Sequence, residues 1–192
     1  MPATGDQLQY ETAILRHDYV PLVVGGEFVD GAKTEETTPF VLVSTEADIE
    51  TRLRLDALDE TDADHATVRS FIAETDFETE TLLVWQTSTA STGYQIEIVG
   101  VTRPASRSVH AYTCRYHNGG ANGTVMTPYN IAIRVAVPRQ PNRAELTVRS
   151  GGAAGTDHDT ATFVDYRDRD ENGGRLHRSG ESRTDQVENE TP

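Results

Sequence analysis

Thr81-Leu82-Leu83-Val84-Trp85-Gln86 is a run in which apolar residues follow one another without alternation. A strand with one wet face alternates apolar and polar residues, whereas a strand covered on both faces reads as a continuous apolar run. The run therefore predicts a central strand, and residues 88–91 a polar loop after it. Downstream the pattern changes. In Tyr94-Gln95-Ile96-Glu97-Ile98 every second residue is apolar, as on a half-buried strand. Residues 109–117 supply a third strand. Ile131, Ile133, Val135 and Val137 keep a period of two, as do Ala144, Leu146 and Val148, and residues 160–166 return as a last strand. Glycine-rich stretches at Asn118–Gly123 and Gly151–Gly155 mark the turns.

Upstream, the periodicity is helical. Phe40–Ser44 reads as a short buried strand. Thr45 with Asp48 three residues on fits a capping box, and Ile49 and Leu53 then fall one turn apart. A second helix is expected over about 64–74, where Val68, Phe71 and Ile72 share a face. Residues 8–16 predict a strand with Tyr10, Thr12 and Ile14 on one side. Residues 19–24 are apolar but contain Pro21, which suits an edge strand or an extended segment. Gly25-Gly26 is a turn signal. From Arg167 onward the only apolar residues are Leu176 and Val187, too few to offset ordering entropy. The fold class expected is α+β: a mostly antiparallel sheet with one or two helices. An N-terminal extended segment (1–39) precedes the α+β domain (40–166), and a disordered acidic tail (167–192) follows.

The chain has 192 residues and a net charge of −14, from 31 acidic and 17 basic residues. Lys33 is the only lysine. A carboxylate-rich surface that repels its neighbours is tolerated where molar salt screens it, so this composition predicts a halophilic source. The charge is uneven. Residues 1–80 hold 19 acidic and 5 basic groups, while residues 81–150 hold only Glu97 and Glu145 against seven arginines. The central strands thus escape the acidic bias. Either a buried sheet has little room for carboxylates, or its open face meets an acidic partner or the chain's own acidic half. Arg115, Arg134, Arg143 and Arg149 are the candidate interaction residues on that second reading. An excess of acid argues against nucleic acid as the partner. No run approaches the ~20 apolar residues that cross a membrane. The first residues lack a basic and apolar leader, which predicts an unexported, cytoplasmic protein; a removed leader would place it outside the cell or at its surface.

Catalytic and cofactor motifs are incomplete. The run Asn118–Gly123 lacks the Lys-Ser/Thr ending of a phosphate loop and precedes a strand, so it reads as a hairpin loop. His110, Cys114 and His117 are close in sequence, but on a strand His117 points away from the other two and a fourth zinc ligand is missing. No Gly-x-Ser-x-Gly elbow is present, and the strands offer few acids to orient a histidine. Asp168–Gly173 copies half of a calcium loop, yet Ser179 stands where the bidentate glutamate belongs. Neither a cofactor nor a metal site is expected. The alternatives kept open are a small hydrolytic or metal-dependent enzyme and a calcium-responsive surface module.

Thr75-Asp76-Phe77, the strand 81–86, Thr92-Gly93-Tyr94-Gln95-Ile96-Glu97-Ile98, and Thr127-Pro128-Tyr129-Asn130-Ile131-Ala132-Ile133 follow one another in an order that resembles the C-terminal domain of the PrcB family, subunits of a bacterial surface protease complex. The resemblance covers about residues 75–150. In that family an Asp-Phe turn opens one strand, a Thr-Gly-Gly-Tyr turn the next, and a Pro-Tyr step a later one. It differs here in having a single glycine in the second turn. The resemblance implies a non-catalytic β-rich module that stabilises or accompanies a protease or envelope protein. It gives Gly93, Tyr94, Pro128 and Tyr129 structural turn roles. Gly93 would permit a turn geometry barred to other residues, and Pro128 would begin a strand where its missing N–H costs little.

Overall fold

The computed structural model describes residues 5–26, 39–89, 92–117, 125–151 and 158–166. In chain order the elements are β1 (Asp6–Gln7), β2 (Tyr10–Arg16), β3 (Phe40–Val43), α1 (Glu46–Arg52), a 3-10 turn (Leu55–Ala57), α2 (Ala63–Ala73), β4 (Glu80–Thr89), β5 (Tyr94–Arg103), β6 (Ser108–His117), β7 (Thr127–Ala136), β8 (Arg143–Gly151) and β9 (His158–Tyr166). The class is the α+β, mainly antiparallel arrangement expected. The strands divide into two sheets, of order β2-β7-β4-β3 and β1-β5-β6-β8-β9. Every pair is antiparallel except β6–β8, which is parallel. After β6 the chain crosses to the other sheet as β7 and returns as β8. Such a crossover permits parallel neighbours, which a hairpin cannot make.

The sheets pack face to face. Leu83, Trp85, Ile131 and Ile133 of the four-stranded sheet meet Val101, Val109, Ala111 and Leu146 of the five-stranded one in a single core. The opposite face of the four-stranded sheet is covered in turn. Leu82, Val84, Ala132 and Val43 pack with Val68 and Ile72 of α2 and with Leu22, Val23 and Leu53. The structure therefore has three layers, with β4 inside the middle one. No residue from Thr81 to Gln86 is more than 2% exposed, which accounts for the unbroken apolar run. The strand also runs further than expected. Thr87, Ser88 and Thr89 are buried and paired with β7, so their polar composition does not make a loop.

Two buried amides attach the N-terminal segment to this layer. Asn130 accepts from the Leu22 N–H (3.4 Å) and donates to the Val20 carbonyl (2.9 Å), and Gln86 accepts from the Val23 N–H (3.2 Å). They serve the extended backbone around Pro21, which makes only a single bridge, Val23 to Leu53. Gly25 then turns with φ 70°, a value that favours glycine. Ala13, Leu15, Leu22 and Val23 of this segment thus belong to the domain's core.

Both helices begin on side-chain caps. Thr45 accepts from the Asp48 N–H (3.2 Å), as expected. The Asp48 carboxylate, however, accepts from Ser44 N–H (2.8 Å), one residue before the cap. Asp62 caps α2 by accepting from Asp64 and His65 N–H. His65, Val68 and Ile72 form the buried face of α2, with Phe71 packed beside it. The turn at 118–123, the glycines at 152–155, the half calcium loop and the tail lie outside the described residues. Among the described residues no helix is long and apolar enough to cross a membrane.

Candidate functional site

Alternation sets what each strand of the five-stranded sheet turns outward. In β6, Val109, Ala111 and Thr113 are buried inward, leaving His110, Tyr112, Cys114 and Tyr116 on the outer face. In β8, Ala144, Leu146 and Val148 go inward, leaving Arg143, Glu145, Thr147 and Arg149 outside. In β9, Thr160, Thr162, Val164 and Tyr166 lie opposite those four in the ladder. The parallel register of β6 with β8 puts His110 beside Glu145 and Tyr112 beside Thr147.

A line of polar groups results. Thr147 Oγ1 is 2.8 Å from His110 Nε2 and 3.3 Å from Thr162 Oγ1. Glu145 Oε2 is 3.3 Å from His110 Nδ1, and the other carboxylate oxygen pairs with Arg143, whose guanidinium stands 5.3 Å over the Tyr166 ring. Tyr112 stacks on the imidazole at 4.1 Å, with its hydroxyl 3.0 Å from Nδ1. The His110 and Glu145 side chains are only 12% and 18% exposed. Burial holds the His110 pKa below the ordinary imidazole value; Glu145 opposes that shift and Arg143 adds to it. The imidazole is consequently neutral at neutral pH. Nδ1 has two neighbours, the Tyr112 hydroxyl at 3.0 Å and the Glu145 carboxylate at 3.3 Å; in the tautomer protonated at Nδ1, Nε2 accepts from the Thr147 hydroxyl.

The four candidate arginines do not share one face. Arg143 and Arg149 lie on the outer face, six positions and so roughly 20 Å apart along β8. Arg115 is on the inward-facing side of β6, opposite Ile96. Arg134 is in the other sheet and turned toward the helices. It pairs with Glu11 and Glu80 and lies 4.6 Å over the Phe71 ring. Arg103 pairs with Asp6. Part of the positive surplus of the strands is thus met by the chain's own acidic first half, and the arginines do not form the single face expected of them.

The turn residues do come together. Tyr129, buried in β7, donates its hydroxyl to the Tyr94 carbonyl (2.8 Å), and Arg16 donates to the Thr92 and Tyr94 carbonyls while its guanidinium stands 5.4 Å over the Tyr129 ring. Burial pushes the Tyr129 pKa up, against the lowering effect of Arg16, so the phenol remains a donor. Gly93 is buried in the turn before β5 but has no positive φ, so the expected glycine-only turn geometry is not what it supplies; Pro128 is the second residue of β7, its carbonyl accepting from His17 N–H. The arrangement also shields an edge. Beyond its two-residue pairing with β1, β5 has no strand on that side among the described residues. Arg16, Tyr129 and Tyr10 donate to its Tyr94 and Ile98 carbonyls, and Leu8 N–H to its Val101 carbonyl. Tyr129→Phe is expected to cost about 1 kcal/mol by chemical denaturation, the usual worth of one buried hydrogen bond.

Glu145, Thr147 and Thr162 escaped the sequence reading. The alternation Arg143-x-Glu145-x-Thr147-x-Arg149 was visible, but the partnership with His110, 37 residues before Thr147, depends on the parallel register. Cys114 shares the outer face with His110 but faces Glu97 across the ladder, and His117 has the opposite orientation. Among the described residues no three His, Cys, Asp or Glu side chains converge as a metal site. No protein-family model, curated protein or solved structure matches the chain.

Proposed function

We propose that this protein is an interaction module that binds a folded protein partner through the outer face of its five-stranded sheet. One observation carries the reading. In a chain with 31 acidic and 17 basic residues, the described outward positions of β5, β6, β8 and β9 hold two carboxylates and two guanidiniums. Three tyrosines, Tyr112, Tyr116 and Tyr166, accompany them, the last two 39% and 42% exposed. Exposed Val99 adjoins them at the bulge in β5. Tyrosine and arginine are the residues enriched at protein contacts, and carboxylates are depleted there. Neither described helix packs on this face; both lie on the other sheet. Four strands about nine residues long present roughly 600 Å² in projection, near the ~800 Å² that each partner commits to a standard interface. The resemblance of residues 75–150 to PrcB supports a protease, or a protein of its complex, as the partner. The acidic composition supports testing in concentrated salt.

The test uses the full chain as bait in cells of its source, at their native salt. A protease-complex protein is expected to be retained in stoichiometric amount by wild type and by Arg139→Glu, which is exposed in the β7–β8 connection away from the face. It should be lost with Tyr116→Glu/Arg149→Glu. Equal retention by the face variant and wild type would sink this reading.

A further inference from the structure

We infer that Thr147 is a base-activated hydroxyl that accepts an acyl group from an activated ester, with His110 as the base and Glu145 as its orienting carboxylate. This goes beyond the interaction reading and stands independently of it. A nucleophile and base within hydrogen-bond reach, with a third group fixing the base, is the arrangement that activates a hydroxyl. Thr147 Oγ1 and His110 Nε2 are 2.8 Å apart, and Glu145 Oε2 is 3.3 Å from the other ring nitrogen. Arg143 pairs with Glu145 and holds it, and the Thr162 hydroxyl lies 3.3 Å from Thr147 Oγ1, where it can donate while the Thr147 proton goes to the imidazole. Arg149 follows two positions along the same face, its backbone roughly 7 Å away.

The step balances without a further reagent. Thr147 Oγ1 bonds to the ester carbonyl carbon while its proton passes to His110 Nε2. The resulting imidazolium is met by Glu145. The tetrahedral intermediate then collapses: the bond to the leaving alcohol breaks, and that alcohol takes the proton from Nε2. Water, deprotonated by the same nitrogen, later attacks the acyl-threonine; the bond to Thr147 Oγ1 breaks, that oxygen takes the proton back from Nε2, and a carboxylic acid is released. His110 serves as base only when neutral. Its lowered pKa places the loss of reactivity at a pH below the ordinary imidazole value of about 6.5, with full reactivity above it.

The experiment incubates the full chain with p-nitrophenyl acetate and follows nitrophenolate release, intact mass and the modified peptide. One acetyl group is expected on Thr147 of wild type. Thr147→Val should carry none, and Thr147→Ser should react at least as fast as wild type because the hindering methyl is gone. His110→Gln should react at least ~100-fold more slowly, the scale of general-base assistance. Glu145→Gln provides the same comparison if His110→Gln does not fold, and is expected to be slower than wild type. Acetylation of another residue, equal rates in wild type and the base variants, or neither an adduct nor nitrophenolate release above the buffer rate with folded wild type would each overturn the assignment while leaving the partner-binding result untouched.

Discussion

Leu82→Ala and Leu83→Ala are each expected to lower the free energy of unfolding by about 3 kcal/mol, within the range of 2–5 found for buried leucines. The pairing matters more than either value. Adjacent residues of a strand point to opposite faces, so in a two-layer sandwich one of the two would be near solvent and cheap to truncate. Here Leu83 enters the core between the sheets and Leu82 the core beneath the helices, both fully buried. Truncation removes methyl groups from close-packed surroundings and leaves a cavity on either side. Neither side relaxes easily, because β4 is held along its length by β7 and at one end by β3. Urea unfolding of the two variants checks this. A cost below about 1 kcal/mol for Leu82→Ala alone would mean that the helical layer does not seal that face.

That double burial was legible at Thr81–Gln86, since only a doubly covered strand tolerates such a run. The Thr45 cap and the face of α2 were legible for the same reason: they are local, fixed by residues three or four apart. The division into two sheets was not. Ile131, Ile133, Val135 and Val137 alternate regularly whichever sheet they join, and alternation specifies a face without naming what covers it. Burial of Thr87, Ser88 and Thr89 was hidden by their polarity, although β7 pairs with their backbone. Gln86 and Asn130 look like surface residues in a strand until Leu22 and Val23 arrive to use them. The line of polar groups on the outer face was hidden for a related reason. His110, Glu145 and Thr147 each have an ordinary place in an alternating strand, and only the crossover through β7 makes their strands neighbours.

Arg52→Met is expected to cost about 3 kcal/mol, because it breaks a buried pair and leaves one charge behind. Arg52 at the end of α1 donates to the Leu42 carbonyl (2.9 Å) and pairs with Asp165 of β9. Asp165 in turn accepts from the Leu42 N–H (2.8 Å). One carboxylate and one guanidinium therefore join the helical layer, the edge of the four-stranded sheet and the edge of the five-stranded sheet. The side chains are 10% and 16% exposed, so water replaces the lost partner poorly. Leu42 N–H alone cannot neutralise Asp165. The double variant Arg52→Met/Asp165→Leu should then cost less than the two single changes added together, by at least ~1 kcal/mol, as groups in one network do. Salt separates this pair from the surface ones. Asp6, paired with Arg103, is 74% exposed, so that pair is worth about 0–1 kcal/mol and should fade in molar salt. The Arg52 effect should survive it, since buried charges are little screened. If Arg52→Met unfolds within ~0.5 kcal/mol of wild type at both low and high salt, the sheets are held by their apolar core alone and the contact is incidental to closure.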